Sequence, residues 1–132
     1  MDIDVITLDM WAAEEGLTHI DLVKIDTEGN DLAVLLGATR LISEKAIDVV
    51  QFEYNHRWLF SRTSLLQVFE LAMSSVYVVG KLTGGAILIY TEWHPELDRY
   101  FEGNYALIRR DVLPDIAIQF VRFDTSNRPT SH

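Results

Sequence analysis

Cysteine does not occur anywhere in the 132 residues. Its absence excludes disulfides, thiolate metal sites and thiol nucleophiles together, and fits a cytoplasmic protein. Cations are also scarce, with 11 Lys and Arg against 20 Asp and Glu, for a net charge of −9. A phosphate backbone is gripped by clustered Lys and Arg, and the one close pair, Arg109-Arg110, is too small for that. Nucleic acid is therefore excluded as the expected partner. No apolar run approaches the roughly 20 residues of a membrane helix, so no membrane role is expected. The opening MDIDVITLD is acidic where an export signal is basic. Internal repeats are lacking too, and nothing marks a domain boundary.

What is present is material for a core. Apolar residues make up 48 % of the chain, and its length suits one domain. VITLD, residues 5–9, alternates as a short strand, after which Asp9 is placed to cap a brief helix that Gly16 ends. IDLVKID, residues 20–26, is aliphatic on both faces, as in a strand covered on both sides. Gly29 then permits a sharp turn, and Asn30 or Asp31 can cap a helix over 31–43. Leu32, Leu35, Leu36, Thr39 and Ile42 would form its inner face.

AIDVVQFEYN, residues 46–55, is a second apolar strand with a polar end. A helix follows over 61–73, capped by Ser61 or Thr63, with Leu65, Phe69 and Ala72 inward. Strands at 76–82 and 86–90 flank Thr-Gly-Gly, a hairpin turn, and 104–110 reads as the last strand. Residues 124–132 are expected to form a disordered tail. Strand–helix alternation ending in a hairpin indicates an α/β fold whose first two long strands are parallel neighbours.

The strand ends carry the chemistry. Lys24, Asp26 and Glu28 close the first long strand; Gln51, Glu53, Asn55 and His56 close the second. Ligands of open parallel sheets sit beyond such carboxyl ends. Strand alternation puts Lys24 and Asp26 on one face, and Gln51, Glu53 and Asn55 on one face of the neighbour. Two readings stay open from the residues alone. Lys24 bridging Asp26 or Glu53 would complete a structural ion-pair network, since buried charges must be paired. Alternatively the carboxylates are placed to orient a substrate, with His56 as a base near neutral pH. Asp26, Glu53 and Asn55 are also oxygen ligands of the kind Mg²⁺ prefers, although no tight spacing marks a metal site. His19, His94 and His132 show no zinc pattern and read as surface residues. Trp58, Phe60 and Trp93 are either core or the walls of a pocket, and GKLTGG lacks the order of a phosphate loop.

These residues resemble a known family. Thr7-Leu8-Asp9, Lys24-Ile25-Asp26-Thr27-Glu28-Gly29 and Val34-Leu35-Leu36-Gly37-Ala38 are similar in order and spacing to the FkbM-type S-adenosylmethionine-dependent methyltransferases. NYALI, residues 104–108, resembles their closing strand. Asn30-Asp31 departs from the glutamate usual there, and the family's glycine-rich cofactor loop is not found. The resemblance thus implies a partial Rossmann-like class I methyltransferase fold, with residues 1–123 its C-terminal part. It implies O-methylation of a hydroxyl on a sugar or small natural product, with S-adenosylmethionine as cofactor. Asp26, Glu28, Glu53 and His56 would then be catalytic, with Lys24 holding a carboxylate in place. Two rival functions stand beside this one: a non-catalytic remnant or binding module, and a Mg-dependent phosphate-handling α/β enzyme. A sheet lacking its first strands would also leave an edge prone to self-association.

Overall fold

The computed structural model describes residues 2–115 and 117–131. His132 lies outside them. The first helix, α1, runs Leu8–Glu14 and starts because Thr7 is extended and its hydroxyl accepts from the Met10 amide at 3.1 Å. VITLD is therefore not a strand; its alternation is real, but the Thr7 cap turns the chain before any partner strand is met. Asp9 caps a different helix. Its carboxylate accepts from the Arg40 and Leu41 amides at 2.8 and 3.0 Å.

That contact splits the helix expected over 31–43. It becomes α2, Asp31–Leu36, and α3, Thr39–Ser43, broken where Gly37 touches α1. The Gly37 carbonyl accepts from the Asp9 amide at 3.0 Å, and a Cβ on Gly37 would lie 3.3 Å from Thr7 Cβ. The break rotates the inner face. Leu32, Leu35, Leu41 and Ile42 are buried as a consequence, whereas Leu36 is exposed.

Strand β1, Ile20–Lys24, pairs in parallel with β2, Ile47–Tyr54, with Ile20 opposite Ile47 and Lys24 opposite Gln51. Three antiparallel partners follow across the sheet: β5, Gly103–Arg109, against β2; β3, Tyr77–Leu82, against β5; and β4, Ile87–Tyr90, against β3. Two further strands were not legible in advance. β6, Ile118–Phe123, lies parallel to β4, and β7, Pro129–Ser131, pairs with β6. The tail expected to be disordered thus carries a paired edge strand, turned by Asp124, whose carboxylate accepts from the Ser126 and Arg128 amides. The seven-stranded order is β1-β2-β5-β3-β4-β6-β7. It is a mixed α/β sheet containing parallel pairs. β1 is an edge, and its Leu22 is 57 % exposed, so it is not covered on both faces.

The main core joins Leu32, Leu35, Leu41 and Ile42 to Phe52, Trp58, Leu65, Phe69 and Leu107. Each such side chain stabilises the fold by roughly 1.5–3 kcal/mol. Leu65, Phe69 and Ala72 point inward from α5, Leu65–Met73, as their spacing predicts. The cap is Ser64 rather than Ser61 or Thr63, and the Ser64 amide donates to Gln67 Oε1 at 2.9 Å. A smaller cluster of Val78, Ile89, Ala106 and Ile108 fills the other face. No helix among the described residues is long and apolar enough to cross a membrane.

All five tyrosines sit against this core, with consequences at high pH. Burial, then the adjoining Asp98 carboxylate, holds the Tyr54 phenol far above its ordinary value of 10.0. Burial raises Tyr77, Tyr90, Tyr100 and Tyr105 as well. The folded state therefore keeps protons that the unfolded chain gives up near pH 10. This contribution is complete below about pH 10 and is lost as the pH climbs towards the folded values. Tyrosinate absorbance should appear together with loss of circular dichroism above that pH. A smooth titration centred near pH 10 with the fold intact would contradict it.

Candidate functional site

The β1 ladder ends at Lys24, and the Ile25 amide still donates to the Gln51 carbonyl at 2.8 Å. This keeps the chain beside β2 for one residue more. The turn that follows then needs unusual backbone. Glu28 has φ 56° and Gly29 φ 113°, the second a conformation that side-chain-bearing residues rarely adopt. Gly29 is buried against the short helix α4, Arg57–Phe60, and its carbonyl accepts from the Ser61 hydroxyl at 2.6 Å.

A shallow cleft of about 170 Å³ opens at these strand ends, lined by Lys24, Ile25, Asp26, Gln51, Phe52, Glu53 and Asn104. The cleft unites the two polar strand ends, and Asp26 and Glu53 share it. Asp26 is exposed and Glu53 half-buried, so neither is sealed by packing. Glu53 is held on three sides. Its amide donates to Asp31 at 3.0 Å, its carbonyl accepts from the Trp58 indole at 2.9 Å, and its Oε1 accepts from the Asn55 amide at 3.2 Å.

Asp31, read in the sequence only as a helix cap, is the residue that ties the two strand ends together. It is 1 % exposed, and its carboxylate accepts from the Thr27 hydroxyl on one turn and from the Glu53 amide on the other strand. The acid one residue after Asn30 thus acts as a brace within the protein. Two donors offset the cost of burying its charge.

Other sequence candidates lie elsewhere. Glu28 turns outward, 3.7 Å from the Arg57 guanidinium, in a surface pair worth at most about 1 kcal/mol. His56 is exposed, its ring edge against Phe60, and does not line the cleft. Asn55 is buried, with its carbonyl oxygen taken by the Arg57 amide at 2.9 Å, so it offers no free ligand atom to a metal beside Asp26 and Glu53. Trp58 is core and Phe60 lies in solvent. Trp93 donates its indole N–H to Asp98 at 2.6 Å. Asn104 was missed; only the antiparallel register setting it opposite Glu53 brings it to the cleft.

Three groups elsewhere approach each other in a way that could hold a metal. His19, Asp21 and Asp48 bring ligand atoms within 4.8 Å of one another, at the opposite end of β1 and β2. His19 is therefore in an exposed ionic cluster rather than isolated. The Arg109 guanidinium stands 3.1 Å from Asp48 Oδ1, close enough to pair with its charge though without hydrogen-bond alignment.

Comparison with curated proteins found no match, and comparison with solved structures found none. The family model of the methyltransferase FkbM domain matches residues 1–105. That span holds Thr7-Leu8-Asp9, the whole Lys24–Gly29 segment, both parallel strands and every residue of the cleft. The chain therefore belongs to the FkbM methyltransferase domain family.

Proposed function

We propose that the protein acts in O-methylation of a hydroxyl on a sugar or other small natural product, with S-adenosylmethionine as the methyl donor. One observation carries this reading: Asp26 and Glu53, from adjacent parallel strands, line a single open cleft. Family membership makes methyl transfer the chemistry to expect there, and a Rossmann-like character of the sheet belongs to the same reading. A cytoplasmic setting accords with the absence of cysteine.

The residues described do not by themselves fit the whole donor. A cleft of about 170 Å³ is below the roughly 300–1,000 Å³ that encloses a ligand of that size. No glycine-rich loop follows a strand here to hold an adenosine. This chain's residues handle the acceptor instead. An acceptor hydroxyl would donate to the Asp26 carboxylate, which would take its proton as the oxygen gains the methyl group and the donor's sulfonium S–C bond breaks to leave a neutral thioether. Glu53 and Asn104 fix the neighbouring polar groups of the acceptor. Lys24 lines the same cleft but, among the described residues, pairs with neither Asp26 nor Glu53, so the ion-pair network the sequence allows is not formed. Glu28 and His56 contribute from outside the cleft, Glu28 by anchoring Arg57.

Asp26→Asn should lower kcat for labelled-methyl transfer by roughly 10²–10⁴. Turnover left intact would remove Asp26 from the chemistry. The small cleft also favours a second reading, a binding module that transfers nothing. Transfer of a labelled methyl group separates the two, since the module should transfer none. Calorimetry with Mg²⁺ tests the remaining rival, for which the engaged Asn55 gives no support.

A further inference from the structure

A second cavity, of about 240 Å³, lies between the 96–101 segment, the ends of β3 and β5, and the β6–β7 hairpin. Tyr105 and Tyr90 line it while only 3 % and 7 % exposed. Among the described residues, the tyrosine hydroxyls that bond to protein groups are those of Tyr54, Tyr77 and Tyr100. The Tyr105 and Tyr90 hydroxyls have no protein partner there. Neither oxygen is sealed in the interior, so both open onto the cavity and are free to donate to an occupant there.

The rest of the lining says what kind. Lys81 holds its ammonium 5.9 Å from the Tyr105 ring centre. Gly103 makes room for that arm, since a Cβ there would lie 3.3 Å from Lys81 Cε and 3.1 Å from Tyr105 Cε2. The Arg99 guanidinium is partly neutralised by Glu96 at 3.1 Å and lies over Phe101. Phe123 stacks on Tyr90 with ring centres 6.0 Å apart. Flat apolar walls thus meet one uncommitted cation and two hydroxyl donors. Burial holds both phenols protonated well above neutral pH, so each presents a donor.

We propose that this cavity binds a single-ring aromatic carboxylate, its ring against Phe101 and Phe123 and its oxygens on Lys81, Tyr105 and Tyr90. The volume, below the range that houses drug-sized ligands, limits the occupant to about one ring. A planar monoanion matches the donors, because two carboxylate oxygens can accept two O–H groups and the ammonium. The site is separate from the strand-end cleft. Asn104 faces that cleft and Tyr105 follows it in β5, so the two side chains leave opposite faces of the sheet. The assignment stands whether or not methyl transfer is correct.

The test is a titration of the full chain with benzoate, benzyl alcohol and inorganic phosphate, followed by amide chemical shifts. Benzoate should saturate with shifts centred on Lys81, Phe101 and Tyr105, and bind roughly tenfold tighter than benzyl alcohol. Tyr105→Phe keeps the ring packed against Phe52 and should weaken benzoate by roughly tenfold, as should Lys81→Met at the mouth. The second variant serves if the first perturbs the fold. Failure of benzoate to saturate, phosphate binding as tightly, or undiminished binding by a folded variant would each overturn the proposal.

Discussion

Replacing Asp98 with alanine should lower stability by about 3 kcal/mol and the melting midpoint by roughly 10 °C. No other carboxylate described here receives as many donors. Oδ1 accepts from the Tyr54 phenol at 2.9 Å and the Leu65 amide at 2.8 Å. Oδ2 accepts from the Leu66 amide at 3.0 Å and the Trp93 indole at 2.6 Å. Leu65 and Leu66 open α5, so Asp98 supplies a cap from 33 residues away, and its charge favours the positive helix end.

Its loss reaches further than one helix. The Tyr54 hydroxyl passes the connection on by accepting from the Tyr100 amide at 2.9 Å. Asp98 thus fastens the 93–100 segment simultaneously to α5 and to the end of β2. Trp93 should report the break as a red-shifted, more quenchable fluorescence before global unfolding. Asp98→Asn should fall between native and alanine, because an amide must turn its NH₂ toward two of the four donors. A midpoint moved by less than about 2 °C in Asp98→Ala would mean that solvent already satisfies these donors.

Asp98 also shows where sequence reading stops. The two parallel strands, the β3–β4 hairpin and the inner face of α5 were legible, because local periodicity sets them. So was the meeting of Asp26 with Glu53, which follows from counting by twos along neighbouring strands in register. The counting fails at the strand end. Once Glu28 takes a positive φ, its side chain leaves for Arg57, and nothing in the period-two pattern anticipates that. His56 departs by another route, its backbone already helical at φ −60° and ψ −20° as the chain turns into α4. Thr7, Asp9 and Gly37 mislead in another way. VITLD and the run over 31–43 have the right local patterns, and only the α1–α3 contact overrides them. Asp31 as a brace and Asn104 as a cleft residue both depend on partners dozens of positions away.

The turn at the head of the cleft gives the second large effect. Gly29→Ala should cost about 3 kcal/mol and take most of the activity with it, whereas Gly16→Ala should cost about 1 kcal/mol. The pair separates strain from contact. Gly16 has φ 67°, a left-handed conformation an alanine can adopt at modest cost, and nothing lies within 4 Å of its would-be Cβ. Gly29 has φ 113°, and its Cβ would stand 2.8 Å from Arg57 Cβ and 3.1 Å from the Arg57 carbonyl. Backbone cannot rotate aside as a side chain can, so either the turn or α4 must move. Movement of the turn pulls Thr27 from Asp31 and shifts Asp26 within the cleft. Movement of α4 pulls Trp58 from the Glu53 carbonyl. Both routes loosen one of the two carboxylates, so lost activity should accompany lost stability even when the variant is assayed well below its melting point. Equal penalties at Gly16 and Gly29 in denaturant melts would show that backbone strain alone operates, and that the approach of Arg57 contributes nothing.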